Sequence, residues 1–452
     1  MSRAVTSMLN LTGSMCRTSA VAVFLLCGAV AFDPAVPGDL ISGAVAQDEK
    51  PKKDKRETRR TPALRNKVYE KLAEAQTLAE AKDYAGAGAI LSEMIAEDGK
   101  RALNSYELAN VYNLFAFLAY ATEDYPQSLR YYQQVIAQPD IPLAMEINTR
   151  FTIAQLYFVQ EQWQQGIDAM LVWFDLNEKP NAGAYVLLAQ GYYQVKRYDL
   201  ALDNVETAIS MHESEGKLPK EQWYNLARFL YFDKEDFDSA LNVLNTLIIY
   251  YPKKQYWVQA SHLYGEKKEE ETQLALMEAA YEQGLLDRSS ELVSMAYLYL
   301  NAEVPYYAGS VIEKGFEDEL VDAKSKNYEL GGSAWAQARE VEKSIPMMEK
   351  AAARSDEGEL YVRLGNVYLD GDQFTKAADS VTKGLKKGGV KRPDQARLVL
   401  GMAYFNLGEY NKARKAFRDA GKDERSEKYA RQWIAYVTSE EERQRELEKD
   451  LF

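Results

Sequence analysis

Apolar residues recur at three- and four-residue intervals along most of this chain, the spacing of helices that bury one face. Near the C-terminus the pattern repeats as a unit. Leu364-Gly365-Asn366-Val367-Tyr368 is followed by Phe374, Ala377 and Val381, and Leu400-Gly401-Met402-Ala403-Tyr404 by Tyr410, Ala413 and Phe417. The two glycines stand 36 residues apart. Each position has a physical reason. A glycine lets one helix press closely on the next, and the aromatic residue three places on shares its face and fills the gap beside it. The aromatic at the turn plugs the corner, and the alanine that follows receives the facing helix.

The same spacing runs back towards the N-terminus. Tyr84 and Ala87 mark a first unit, Ala116, Tyr125 and Ser128 a second, and Ala154, Tyr157, Trp163 and Gly166 a third. Ala189, Tyr192, Tyr198 and Ala201 mark a fourth, and Tyr231, Phe237, Ala240, Leu244 and Pro252 a fifth. Between 253 and 357 the pattern is degenerate, with Ala260 and Leu263, then Ala296, Tyr299 and Ala308, then Gly332, Trp335 and Ala351. A final amphipathic helix over roughly 425–449 has Tyr429, Trp433, Ile434 and Val437 on one side, as a cap over the last apolar face needs.

This pattern resembles the tetratricopeptide repeat (TPR), a helical hairpin of about 34 residues. The resemblance implies an all-α, right-handed superhelical TPR solenoid of about ten helical hairpins with a C-terminal capping helix. The expected layout is a clear array over 64–252, degenerate repeats over 253–357, a clear pair over 358–421, and a cap and tail over 422–452. Composition agrees: Gly and Pro are sparse at 26 and 13 of 452 residues, which suits helices throughout.

Charge changes the picture at one end. The net charge is −13, yet residues 47–67 carry nine Lys or Arg against four acids. A basic, disordered linker over 47–63 therefore precedes an acidic body, which argues against nucleic-acid binding. Upstream, Thr18–Phe32 is an apolar run preceded by Arg3 and Arg17, too short to span a bilayer comfortably. With Ala44-Val45-Ala46 as a small-x-small cleavage signature, residues 1–46 read as a signal peptide; Ala29-Val30-Ala31 offers an earlier cut. Cys27 follows Leu26, which is not the small residue a lipid-attachment site requires. Cys16 and Cys27 are the only cysteines and both lie in the removed segment, so the mature chain has no thiol chemistry. Periplasmic export without a later transmembrane segment is the expectation.

No chemistry-bearing motif emerges. His212 and His262 lie far apart, without the one-turn His pair of a zinc protease, and there is no nucleophile elbow or phosphate-binding loop. A catalytic carboxylate pair leaves no sequence signature, but no residues remain to form a lytic domain. The expectation is a non-enzyme with no cofactor and no metal.

In TPR superhelices the first helix of each hairpin lines a concave groove, at six and three residues before its small residue and one, four and five after it. On this chain the resemblance points to Asn110, Asn113, Phe117, Asn148, Gln155, Phe158, Gln190, Tyr193, Asn225, Phe229, Asn366 and Met402. Tyr120, Phe151, Gln222, Phe232, Gln395 and Phe405 fall at the same positions. Amides pair with the donors and acceptors of an extended peptide, and rings grip its side chains. The set lacks the Lys/Asn/Arg clamp that holds a peptide carboxylate. Aromatic residues at helical spacing also pack within repeats, whereas a buried Asn needs partners.

Two short ends carry a narrower resemblance. Thr61-Pro62-Ala63-Leu64-Arg65-Asn66-Lys67-Val68-Tyr69-Glu70-Lys71-Leu72, and Trp433-Ile434-Ala435-Tyr436-Val437 with Glu441-Glu442-Arg443-Gln444, are similar to periplasmic TPR proteins of marine gammaproteobacteria encoded beside TonB–ExbB–ExbD systems. That resemblance implies an accessory of TonB-dependent uptake, docking a segment of a TonB, ExbD-type or receptor protein. The other reading of the same groove is a scaffold for outer-membrane or cell-envelope assembly or secretion.

Overall fold

The computed structural model describes residues 63–139 and 141–450, and all its regular structure is helical. The signal peptide and nearly all of the basic linker read from the sequence lie outside the described residues. Two units divide at Val243/Leu244. The first holds the hairpins α1 (Asn66–Glu80) with α2 (Tyr84–Ala96), α3 (Ser105–Ala121) with α4 (Tyr125–Ile136), α5 (Leu143–Val159) with α6 (Trp163–Leu176), and α7 (Ala182–Gln194) with α8 (Tyr198–Ser214). It continues with α9 (Glu221–Asp233), and the division falls within α10 (Phe237–Tyr250).

The second unit holds α11 (Lys254–Glu266) with α12 (Glu270–Glu282), α13 (Ser289–Asn301) with α14 (Pro305–Glu317), and α15 (Ser325–Gln337) with α16 (Val341–Ala353). It ends with α17 (Glu359–Asp370) and α18 (Phe374–Lys387), α19 (Pro393–Asn406) and α20 (Tyr410–Ala420), and α21 (Glu424–Asp450). The described chain is thus ten consecutive hairpins and a final long helix. The first helix of each hairpin is called A below and the second B.

All ten A–B turns share one geometry. A residue with positive φ follows the A helix by two places: Lys82, Glu123, Glu161, Lys196, Glu235, Lys268, Glu303, Arg339, Asp372 and Gly408. The next residue donates its backbone N–H to a carbonyl five residues back at 2.8–3.0 Å, as in Asp83 to Leu78 and Glu409 to Tyr404. A second bond runs from the positive-φ residue to the carbonyl three residues back, as in Glu161 to Phe158. This pair of bonds caps the helix C-terminus and turns the chain sharply. The far acceptor is aromatic in eight of the ten hairpins, including Tyr157, Tyr192, Tyr231, Tyr264, Tyr299, Trp335, Tyr368 and Tyr404. One conserved geometry therefore joins the turn to the aromatic position read from the sequence. Asp83, Asp124 and Asp236 then cap α2, α4 and α10 through their side chains.

Beyond the turn, small residues let the two helices meet. A Cβ on Gly365 would stand 2.4 Å from Val381, one on Gly401 2.5 Å from the Phe417 ring, and one on Gly332 2.7 Å from Met348. Each pair is sixteen residues apart, so the same large residue of B fills the space over the same small residue of A. Twelve residues after the small position, the B helix buries Ala87, Ser128, Ala201, Ala240, Ala308, Ser344, Ala377 and Ala413. The serines also satisfy backbone polarity across the contact. Ser128 Oγ donates to the Ala116 carbonyl at 2.8 Å, and Ser344 Oγ to that of Gly332 at 2.7 Å. Ser261 Oγ donates in the opposite sense, to the Gln273 carbonyl at 3.0 Å.

These registers revise the degenerate middle. It forms three regular hairpins, α11–α12, α13–α14 and α15–α16. Counted from the shared turn, the small position of α11 is Ser261 rather than Ala260, and the receiving position of α16 is Ser344 rather than Ala351. The sequence concealed them because serine serves there as the small residue. In α9 the position is occupied by Arg228.

Helices of this length are marginal alone, so neighbouring hairpins supply the stability. In the first unit, Val68, Leu72, Leu91 and Leu114 share one buried cluster, and Ile167, Met170, Val186, Val205 and Leu230 another. In the second unit, Leu292, Ile312 and Leu330 share a cluster, as do Met348, Leu364, Val367 and Ala377. The cap is confirmed with one change of face. Ala430 and Val437 are buried, and Trp433 stacks on Phe417 at 5.3 Å, whereas Tyr429 is 59 % exposed and points away.

Buried carboxylates clamp both ends. Glu107, fully buried in the first turn of α3, pairs with Arg65 at 2.7 Å and accepts from the Asn104 backbone at 3.0 Å. Burial pushes its carboxyl up, but the Arg65 guanidinium and the two backbone donors outweigh this and hold it below the ordinary range. Asp394, in the first turn of α19, takes Arg392 at 2.6 Å and the Ser426 hydroxyl of the cap at 2.7 Å. The Arg392 pair chiefly, against the opposing effect of burial, holds it far below the ordinary range.

Four outcomes are expected. Replacing Glu161 or Glu303 by Gly relieves a side chain held at positive φ and raises unfolding stability by about 0.5–1 kcal/mol in denaturant titration. Gly401→Ala forces a methyl into the Phe417 ring and lowers stability by about 1–2 kcal/mol, despite the better helix propensity of alanine. Glu107→Gln loses an ionic hydrogen-bond acceptor at a buried site and costs about 2 kcal/mol at neutral pH. Because the folded carboxyls of Glu107 and Asp394 titrate below their unfolded values, their stabilisation is present above the ordinary carboxylate range. It is lost as pH falls through that range towards the folded values. Denaturation midpoints of Glu107→Gln and Asp394→Asn should accordingly fall less steeply with acid than those of the parent chain.

Candidate protein-binding face

The A helices of the first unit carry a sparsely charged surface. Five positions in each of α1, α3, α5, α7 and α9, counted from the small residue, give twenty-five side chains of which Glu80 and Asp233 are charged. The corresponding twenty-five positions of α11, α13, α15, α17 and α19 carry five charges. Glu329 and Glu359 among them are engaged with Arg363, at 2.6 and 3.7 Å. The first unit is therefore the one whose A face carries the less charge.

The residues singled out in the sequence separate into three groups. Asn113 and Gln155 on α3 and α5, and Gln190 on α7, are half-buried, and Asn148 at the start of α5 is exposed. Their four side-chain amides carry no hydrogen bond among the described residues. Phe117 is half-buried and packs on the first core cluster, and Phe229 is 36 % exposed on α9 with Asn225 half-buried one turn before it. Asn113, Asn148, Gln155, Gln190, Phe117 and Phe229 thus keep side-chain surface on the A helices of the first unit.

A second group closes corners. Phe158 is only 2 % exposed and lies 6.1 Å from Trp163, and a Cβ on Gly166 or Gly191 would strike its ring. Its assignment to the groove is therefore corrected: its ring lies inside the stack. Tyr193 remains half-buried, 5.7 Å from Tyr198 and 5.4 Å from Phe229. The same pairing joins Tyr120 to Tyr125 at 5.6 Å, Phe232 to Phe237 at 6.3 Å and Phe405 to Tyr410 at 6.0 Å. Burial, then the neighbouring Tyr125, pushes the Tyr120 hydroxyl up. Sequence reading identified the turn aromatic but not its partner four residues after the small position.

A third group is satisfied internally. Asn110 is 8 % exposed and donates to the Tyr106 carbonyl at 2.7 Å, so it too is interior and not a groove contact. Asn366 is exposed but donates to the Val362 carbonyl at 3.1 Å, and Met402 packs on the clusters around Val381 and Phe417. Both belong to the second unit. His212 lies 4.5 Å from the Trp223 ring, and His262 is exposed on α11. Among the described residues no group of His, Cys, Asp and Glu is arranged to hold a metal, and no helix is long and apolar enough to cross a membrane.

Two family models match parts of the chain. One described as "Tetratricopeptide repeat" matches residues 362–426, and one described as "ChAPs (Chs5p-Arf1p-binding proteins)" matches residues 126–305. Neither description names an enzymatic activity. No curated protein matches the chain. Solved structures that resemble it include MamA, 20 % identical, covering 39 % of this chain and 94 % of its own, with a TM-score of 0.33. A tetratricopeptide repeat protein from Parabacteroides merdae is 16 % identical over 67 % of this chain and 100 % of its own, with a TM-score of 0.34. YrrB, described as a TPR protein with an unusual peptide-binding site, is 14 % identical over 42 % and 91 %, with a TM-score of 0.32.

Proposed function

We propose that this chain is an exported, non-catalytic scaffold whose first unit binds an extended, uncharged segment of another protein. The observation that carries the proposal is the set of unpaired amides on the A helices. Asn113, Asn148, Gln155 and Gln190 offer donors and acceptors that nothing inside the fold uses, beside the rings of Phe117 and Phe229. An amide serves a peptide N–H and a peptide C=O equally, so such a face reads backbone and shape rather than charge. Burying it against apolar side chains alone would leave those groups unsatisfied, at a cost of about 1–3 kcal/mol each. A polypeptide backbone is the partner that avoids this cost.

The periplasm is the proposed compartment, on the signal-like N-terminus and the absence of cysteine from the mature chain. The proposed partner is a periplasmic segment of a TonB or ExbD-type protein, on the likeness of the two chain ends to TonB-associated TPR proteins. A stack of hairpins held by nearest-neighbour contacts extends without global unfolding, which suits attachment to a segment under tension.

Calorimetric titration of the full chain with the periplasmic regions of TonB and ExbD from the same genome tests this reading. Binding should change less than about threefold between low and physiological salt, since no charge is neutralised. The combined Asn113→Ala, Gln155→Ala and Gln190→Ala variant should lose at least about tenfold in affinity with an unchanged melting curve. Absence of binding by either region removes the TonB assignment. Undiminished binding by the triple variant removes the face.

A further inference from the structure

The outer helices of the second unit carry two opposite charge ladders with the same spacing. On α18, Lys376, Lys383 and Lys387 stand at intervals of seven and four residues. On α12, Glu271, Glu278 and Glu282 stand at the same intervals. Such positions fall within an arc of about 40° and spread over about 16 Å of helix, so each trio is a straight stripe.

Neither stripe is neutralised within the molecule. None of the three lysines forms an ion pair among the described residues. Lys376 lies 5.4 Å from the Tyr368 ring, and Lys383 lies 4.3 Å from the Tyr361 ring. Lys387 donates to the Ser355 carbonyl at 2.6 Å. These neutral partners fix the side chains and leave the charge in place. The only acid on α18, Asp379, sits about 60° round the helix from Lys376. Helix α12 contains no Lys or Arg, and its three ladder carboxylates have no cationic partner among the described residues; half-buried Glu278 accepts from the Tyr299 hydroxyl, a neutral partner. The other strongly acidic B helix, α8, differs: its Asp199 is paired with Lys234 at 3.0 Å.

The two ladders cannot meet within one molecule. Helix α12 packs on α11 and α13, and α18 packs on α17 and α19. We propose that they meet between molecules, the lysine stripe of α18 lying along the glutamate stripe of α12 of a second copy. Equal spacing brings three ion pairs into register at once, which a scattered charge pair does not achieve. The contact joins two different faces, so each copy keeps one free ladder and the association propagates head to tail.

Sedimentation velocity of the full chain tests the proposal. At about 50 mM salt the parent chain should show dimers and longer species, and at about 500 mM, where the Debye length falls to about 4 Å, it should be monomeric. Lys376→Glu/Lys383→Glu/Lys387→Glu should abolish the larger species, and so should Glu271→Lys/Glu278→Lys/Glu282→Lys. In an equimolar mixture of these two variants the first carries only acidic stripes and the second only basic ones, so the two are complementary to each other. They should therefore form mixed species that neither forms alone. A chain with all six changes should associate as the parent does, a result that mere damage to folding could not give. A parent chain monomeric at low salt overturns the proposal, as does association that either of the two single-ladder variants retains. Binding of the lysine stripe to anionic phospholipid vesicles without self-association would overturn it in favour of a membrane surface.

Discussion

The fold depends on one contact, made in nine of the ten hairpins, where a large side chain of the B helix fills the space over a small residue of its A helix. At Gly365 and Gly401 the space is so short that no Cβ fits beside Val381 and Phe417. Where the small residue is alanine, the facing residue adapts instead, as with Leu91, Met170 and Val205 in the buried clusters of the first unit. The turn serves this contact. Its two backbone bonds end each A helix at a fixed residue and return the chain in a fixed direction. Accepting a charged residue at positive φ in nine of ten turns shows that geometry there outweighs local preference, and every one of those side chains is exposed.

Because the contact repeats, stability is spread along the chain and drops at its ends, where one neighbour is missing. The polar chemistry follows that need. Glu107 ties the entry of α1, through Arg65, to the start of α3, and Asp394 ties the start of α19 to Ser426 of the cap. Both are carboxylates in a first helical turn, where the helix dipole adds to the hydrogen bonds in favouring negative charge. The last A–B contact then meets the cap by apolar stacking of Trp433 on Phe417. Removing one partner of such a pair leaves a buried carboxylate uncompensated, which is strongly destabilising.

Sequence placed the register of a hairpin where glycine or alanine marked it, and misplaced it in α11 and α16, where Ser261 and Ser344 take the small and the receiving positions. Both serines work because a serine hydroxyl can donate to a backbone carbonyl across the contact, a compensation visible only in three dimensions. The sequence expectation of a groove named positions on the A helices, but not which of their groups are available. Asn110 and Asn113 are three residues apart on one helix and look alike in sequence. One is bound to the Tyr106 carbonyl and buried, and the other is half-buried with its amide unpaired. Phe158 was misread for a related reason: a ring four residues after the small position meets the turn aromatic, as Tyr120, Tyr193, Phe232 and Phe405 also do.

Charge is distributed by face as well as by segment, and this separates two kinds of contact. The A face of the first unit has little charge, so a partner bound there would be held by hydrogen bonds and apolar burial, which salt barely weakens. The B helices of the second unit carry unpaired ladders, and contacts there are Coulombic and fade within a Debye length. A chain with both can hold one partner firmly while its association through the other face follows ionic strength. The acidic total of −13 hides this division, because α12 and α18 are opposite in sign and nearly cancel. What matters physically is that the two signs sit on different helices, each rigidly mounted on its own hairpin. Neither can collapse onto the other, and both stay available to a second molecule.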